Sequence, residues 1–421
     1  MLAVVVPLTT ALGRGTVIPL LRLNEAILLL VLAGLALRYL LTRQAVSYTG
    51  LDIAISIFAV GISLIPWLVL LITRADIDFD TWRVVLGPLQ FLAVYLCFAQ
   101  VRASGDQLNW LLNLTLLVSV IIGVIAVVEL LDFPPGARAL VNTYYPSDFP
   151  PSSYDSTYRP TSLLGNYGAV GAYAALNFIL AMTLSNRRNS RLTEAWLTAA
   201  MVVNLASLIA SLTWAPAVGL LVGAAIVMWY SRHVPWQIWA WAATVVVILV
   251  ILWPAVSSRI DAQQIGLGNI QTLDTRFRNW QVFFLPALAE HMWFGTGTLL
   301  PNELPAFLAI FVDNEYLRIG FRAGLVGIGL LISMLCFVGF TAWGCRESVD
   351  PWRRRLGAVA LAAVVIVVLA GFTAEYLAFG GLSPYIAMVF GLLAARIRHP
   401  AQFSRAFGTT LRFEAIPSQL A

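Results

Sequence analysis

The residues best suited to chemistry lie between positions 274 and 327. The stretch opens Asp274-Thr275-Arg276-Phe277-Arg278-Asn279-Trp280 and runs through His291 to a Trp293-Phe294-Gly295-Thr296-Gly297 turn. It continues with Asp313-Asn314-Glu315-Tyr316-Leu317-Arg318 and a small-residue helix start over 320–327. Arginine suits a diphosphate, because its planar guanidinium bonds phosphate oxygens in pairs. A carboxylate within reach of a hydroxyl can take its proton, and here Asp313 is the first choice and Glu315 the second. His291, one of three histidines, is a further base candidate, although a lone histidine beside Trp293 also suits an interfacial structural role. Between Phe277 and Leu288 the apolar residues recur at helical spacing, so an interfacial helix with headgroup-binding arginines is the competing reading. Asp313-Asn314 ahead of a helix is also what an N-cap looks like.

These residues need a scaffold, and the composition says which kind. Of 421 residues, 60% are hydrophobic and 11% charged, against roughly 45–50% and about 25% in soluble domains. The chain therefore reads as a single all-α polytopic membrane domain, 1–421, with about twelve transmembrane helices. Apolar stretches fall near 2–12, 21–42, 51–73, 83–101, 107–131, 161–184, 192–212, 214–231, 236–254, 321–345, 353–373 and 378–397. The first is too short to span unless the following residues continue it. All 26 basic residues are arginine, and they concentrate in alternate short connections at 42–50, 102–106, 185–191, 232–235 and 346–355. The positive-inside bias makes those cytoplasmic, with both termini and a tail over 398–421 on the same side. The other face receives a first long loop, 132–160, and a larger one, 255–320, near the C-terminal third. Most acidic residues lie on that outer face. Two long loops on a tightly connected bundle point to function.

The net charge of +5 sits in loops between apolar spans and is no nucleic-acid footprint. Cys97, Cys336 and Cys345 have no metal-ligand spacing, and the start of the chain lacks the basic region of a cleavable signal. Asp76, Asp78 and Asp80 resemble an acidic metal motif, yet a solvated outer loop explains them. Tyr144, Tyr145, Tyr154 and Tyr158 could stack on sugar rings or anchor the interface. Glu25, Glu129 and Glu375 stand in or at the ends of helices, where snorkelling is the plain explanation.

Taken in order, Arg276-x-x-x-Trp280, Gly295-x-Gly297 and Asp313-Asn-x-Tyr-Leu ahead of a Gly-rich helix resemble the O-antigen ligase/polymerase superfamily. Upstream, Arg159-Pro-Thr-Ser-Leu-Leu-Gly-Asn166-Tyr-Gly168 is similar to that superfamily's arginine-bearing approach to a membrane helix. The likeness in motifs is confined to about 159–177 and 274–328; over the remaining chain it rests on topology. It implies a GT-C-type glycosyltransferase of the bacterial cytoplasmic (inner) membrane, with its active site on the periplasmic or extracellular face. The donor would be an undecaprenyl-diphosphate-linked glycan. A polymerase moves the growing chain onto the next lipid-linked repeat unit, and a ligase moves the glycan onto lipid A core. Ligases place a histidine where this chain has Asp313, and their Ser-Arg pair after the middle helix is replaced by Thr213-Trp214-Ala215-Pro216. Polymerase is therefore the favoured reading.

In that reading Arg159 and Arg276 meet the donor diphosphate, with Arg278 and Arg318 in reserve, and charge developing on the leaving group is stabilised where water is excluded. One base and no covalent intermediate invert the anomeric centre. No cofactor and no divalent metal is expected. The partners are the lipid-linked glycan and the bilayer, with a chain-length regulator as a further candidate and no nucleic acid. A transporter or flippase for a lipid-linked glycan is the reading outside the enzyme class; transporters keep their binding residues near mid-membrane, whereas these cluster in outer loops.

Overall fold

The computed structural model describes residues 2–12, 22–42, 48–73, 79–145, 158–185, 190–231, 238–262, 271–297 and 312–399. Among the described residues there is helix and no strand. The helices are α1 (Leu2–Thr9), α2 (Leu23–Thr42), α3 (Gly50–Thr73), α4 (Phe79–Ala99), α5 (Gly105–Leu131), α6 (Ala137–Tyr144), α7 (Tyr167–Leu184) and α8 (Arg191–Ala210). They continue with α9 (Trp214–Ser231), α10 (Ile238–Ile251), α11 (Trp253–Ala262), α12 (Gln271–Asn279), α13 (Leu285–Glu290), α14 (Glu315–Gly344), α15 (Pro351–Ala370) and α16 (Leu382–Arg398). Every apolar stretch expected from the sequence carries a helix. Among the described residues six helical segments are long and apolar enough to cross a membrane: Leu23–Leu41, Gly50–Thr73, Gly105–Leu131, Tyr167–Leu184, Arg191–Ala210 and Glu315–Glu347.

The placement of the apolar side chains is consistent with helices of a membrane protein. Leu30, Leu40, Ile72, Val250 and Phe340 are among many large apolar side chains that stand exposed, a surface unusual for a water-soluble monomer. The inside is filled by small and medium residues. Buried Ala169, Ala172, Ala174, Ala175 and Ala181 let α7 lie deep between its neighbours, as small residues do where membrane helices approach closely. Helix α7 packs chiefly on α8 and α9, α15 on α9 and α14, and α16 on α4.

Two differences from the expected layout bear on function. The 255–320 region is not simply a loop: α11, α12 and α13 occupy its described part. Helix α14 begins at Glu315 rather than near 321, because Asn314 caps it: Asn314 Oδ1 accepts the backbone N–H groups of Tyr316 at 2.9 Å and Leu317 at 3.0 Å. Asp313 is thus not the capping residue. The 132–160 loop likewise contains α6, and the 76–78 acidic residues, Tyr154 and the tail beyond His399 lie outside the described residues.

One end of the bundle is tied by ion pairs. Arg398 at the end of α16 meets Asp52 at the start of α3 at 2.6 Å and donates to Ala99 O at the end of α4 at 2.6 Å. Tyr95 donates to the same Asp52 at 2.9 Å, and Arg396 pairs with Asp350 at the start of α15. The opposite end, where α14 and α16 begin and α15 ends, carries the residues singled out above.

Candidate functional site

Arg276 is placed by the stripe that follows it. Trp280, Phe284 and Leu288 recur every four residues and are buried with Val312, Leu317 and Phe321 in a cluster separate from the main core. A π-helical turn over Trp280–Phe284 joins α12 to α13 and keeps this face turned to the start of α14. The rings of Phe284 and Phe321 meet edge to face at 5.6 Å, and Trp280 Nε1 donates to Val312 O at 3.2 Å. The 277–288 run is therefore a helix docked on protein. Arg276, one turn ahead of Trp280, consequently reaches across the bundle end: it donates to Thr373 O at 3.0 Å and lies 3.3 Å from Asp313 Oδ2. The two side chains of this pair are 28% and 35% exposed, so solvent and a ligand can reach both.

Beneath the pair lies a buried cluster of charge. Glu315 and Arg318, one turn apart on α14, form an ion pair, and Arg318 Nε lies 3.7 Å from Glu375 Oε2. Arg322, one turn further, is also buried. The 371–377 connection closes over them. Gly371 O accepts Glu315 N–H at 2.7 Å, Glu315 accepts Leu377 N–H at 2.9 Å, and Glu375 accepts Val312 N–H at 3.1 Å. Burial pushes the Glu375 carboxyl up to about 7, helped by the Glu315 and Asp313 carboxylates and opposed by Arg318 and the Val312 N–H.

A break in α14 holds the glycine turn. Gly324 has φ 63° and ψ −160° inside the helix, a conformation almost restricted to glycine. Beyond it, Leu325 N–H donates to Met292 O at 2.8 Å and Val326 N–H to Trp293 O at 3.3 Å, while Phe321 O accepts Thr296 N–H at 2.7 Å. The 292–296 segment thus satisfies backbone groups that the break releases. A Cβ on Gly295 would fall 2.4 Å from Phe321 O, so only glycine allows the approach.

The Arg159 arm is built differently. Glu129, in the last turn of α5 and fully buried, receives Tyr158 Oη–H, Thr161 N–H at 3.1 Å and Ser162 N–H at 2.8 Å. Burial and the adjacent carboxylate push the Tyr158 hydroxyl above its ordinary value. Between these anchors Arg159 lies over the Tyr167 ring at 3.5 Å, and Arg138 covers Tyr158 at 3.9 Å. Asn166 caps α7 through Gly168 N–H at 2.8 Å and Ala169 N–H at 3.1 Å. Glu129 is an internal acceptor and does not snorkel.

Both arms meet the 371–381 connection. A Cβ on Gly168 would fall 3.3 Å from the Phe379 ring and one on Gly381 2.4 Å from Leu164. Buried Tyr376 feels the charge of Arg276 and the hydroxyl of Tyr167. Arg159, Arg276, Asp313, Glu315 and Arg318 therefore gather at one bundle end, the last two locked into the buried cluster. Arg278 and His291 are exposed, on α12 and at the end of α13, and among the described residues no hydrogen bond or ion pair joins either of them to Arg276 or Asp313. Sequence reasoning passed over Arg322 and the break at Gly324, and it read Glu375 as a snorkelling residue, whereas the side chain turns inward to Val312 N–H and Arg318. Its available signal was two arginines four apart in an apolar helix and an acidic residue between two apolar ones. The fold and site define an all-helical protein with membrane-type helices and a charged, half-open site at one end. Known protein-family models and curated protein sequences give no match to the chain.

Proposed function

We propose that this chain is a polytopic membrane glycosyltransferase that takes a polyprenyl-diphosphate-linked glycan as donor and polymerises repeat units. The observation that carries the reading is the Arg276–Asp313 pair: a guanidinium and a carboxylate 3.3 Å apart and half-open, seated on a buried charged base. An incoming diphosphate competes with Asp313 for the Arg276 guanidinium, and its oxygens match the planar fork. Arg159, on the second arm, is the further phosphate ligand. Release of Asp313 frees its carboxylate to take the proton of the attacking sugar hydroxyl. The new glycosidic bond forms as the anomeric C–O bond to the diphosphate breaks. The leaving diphosphate carries away the bonding pair, and the configuration inverts.

In this reading the chain crosses the membrane about twelve times and the site end faces outward. Tyr144→Cys, at the site end, is then labelled by an impermeant thiol reagent from outside in a cysteine-free background. Val349→Cys, at the opposite end, is labelled only after permeabilisation. The reverse pattern overturns the orientation. Activity is tested by incubating purified protein with a polyprenyl-diphosphate oligosaccharide and no second acceptor. A ladder of longer lipid-linked products is expected. Substrate consumed only when lipid A core is added identifies a ligase, and no consumption in either case overturns the enzyme reading.

A further inference from the structure

We propose that Glu375 is a positioning residue for the Arg276–Asp313 pair, and that its ionisation sets how firmly the turn carrying Asp313 is held. The inference rests on the reading of that pair given above. Asp313 adopts φ 50°, a left-handed conformation uncommon outside glycine, so the turn must be held from its neighbours. On one side Glu375 Oε1 accepts Val312 N–H at 3.1 Å; on the other Val312 O accepts Trp280 Nε1 at 3.2 Å. Trp280 lies one turn from Arg276, and Thr373, two residues before Glu375, supplies the carbonyl that Arg276 bonds. One carboxylate therefore links the turn of the base, the helix of the arginine and the connection that orients it.

Among the described residues, charged groups face Glu375 from each element packed against it. Helix α14 offers Glu315, Arg318 and Arg322, and the turn offers Asp313; Arg276 reaches the neighbouring Tyr376 from α12. With Glu315 and Glu375 ionised, the two carboxylates balance Arg318 and Arg322. Protonation of Glu375 leaves one positive charge in excess and weakens the hold on Val312, because a charged acceptor binds an N–H about twice as strongly as a neutral one. With its carboxyl near 7, Glu375 is protonated below that pH and ionised above it. The turn is accordingly firm on the alkaline side and loose on the acid side.

Hydrogen exchange on the full-length protein in nanodiscs tests this without any substrate. After correction for intrinsic rates, the 312–318 amides of the wild type should gain about five- to tenfold protection as pH rises through 7, the difference between a charged and a neutral bond. Glu375→Gln should show no such step, and Glu375→Asp should restore part of it. Turnover of the lipid-linked oligosaccharide should show an acid limb with the same midpoint. In Glu375→Gln the limb should vanish and kcat fall about tenfold to a hundredfold, the cost of misplacement by an ångström or less, with KM nearly unchanged. A wild type without the exchange step, or a Gln variant that keeps the step or the limb, overturns the proposal. An exchange step in a protein that elongates no glycan supports the positioning role while removing the enzyme reading. If the Gln variant does not fold, the wild-type titration and the Asp variant decide alone.

Discussion

The two arms that bring arginine to the bundle end share a plan and differ in its execution. Each has an arginine (Arg159, Arg276), a glutamate that accepts backbone N–H groups (Glu129, Glu375) and an asparagine that caps the next helix (Asn166, Asn314). In the first arm the glutamate is saturated by three N–H and O–H donors from one short segment, and the arginine rests on an aromatic face. In the second the glutamate shares a cationic neighbour with Glu315 and holds one N–H, while the arginine holds a carboxylate across a gap that solvent reaches. The first arm is a fixed mount; the second has exchangeable partners, as a site that must let a carboxylate go requires.

The largest effect should therefore come from the second arm's arginine. Arg276→Ala removes a donor aimed at charge that develops as the donor bond breaks, and turnover should fall about 10²–10³-fold in a single-turnover assay. Arg276→Lys keeps the charge without the two-pronged geometry and should recover only part of the rate. A headgroup anchor would behave otherwise, with Lys equivalent to Arg and Ala tolerated. Near-normal turnover in Arg276→Ala would end the catalytic role.

Much of this second arm was legible in the sequence, and the reason is local. Arg276, Trp280, Phe284 and Leu288 share one helical stripe, so their common face follows from spacing alone. Asp313 beside Asn314 marked a helix start, although which of the two caps it depends on the backbone turn and was not readable. Glu129 and Glu375 were harder. Their partners lie 29–33 and 57–63 residues away in the chain, and a glutamate at a helix end looks the same whether it reaches for water or for a neighbouring N–H. The break at Gly324 was hidden for the same reason, since one glycine among several in 320–329 has no local mark until the 292–296 segment packs against it.

That break gives the next effect. A Cβ at Gly324 would lie 2.2 Å from the backbone of Trp293, and the backbone conformation itself is costly for alanine. Gly324→Ala should lower stability by about 3 kcal/mol and loosen the 292–296 segment; Gly329→Ala, whose Cβ meets nothing within 4 Å, should be neutral or slightly stabilising. Thermal unfolding in detergent, with exchange over 290–298, measures both. Equal behaviour of the two variants would mean that the break does not hold the turn.

Somewhat smaller is the loss in Glu129→Ala. It leaves three buried donors without their acceptor, at about 2–3 kcal/mol once Tyr158 turns to another partner. Turnover should fall with stability, because Arg159 is carried between the freed residues. Glu129→Gln should do little better: the amide offers one oxygen to donors that now use two, and its NH₂ faces an N–H. A Gln variant as stable as the wild type would show that the first arm is mounted by something else.

The finest test exchanges the caps. Asn166→Ala and Asn314→Ala each delete a side chain that accepts two backbone N–H groups, so each should cost about 1 kcal/mol. Aspartate at the same positions keeps the acceptor and suits the positive end of a helix, and in isolation it would be neutral or favourable at both. The surroundings separate them. Residue 166 precedes Tyr167, whose ring carries the Arg159 guanidinium, so Asn166→Asp adds a negative charge near a positive one and should hold or gain stability at neutral pH. Residue 314 stands between Asp313 and Glu315, and its Nδ2 points toward Phe372 O at 3.5 Å. Asn314→Asp sets a third carboxylate in line and turns a donor into an acceptor facing a carbonyl, so it should cost about 1 kcal/mol more than Asn166→Asp, and the gap should narrow as pH falls and the added carboxylate takes a proton. Paired melting curves of the two Asp variants at pH 5 and pH 8 read the difference directly. If both variants match at pH 8, the electrostatic contrast between the arms is smaller than their geometry implies, and the exchangeable character of the second arm must come from the exposure of Arg276 and Asp313 alone.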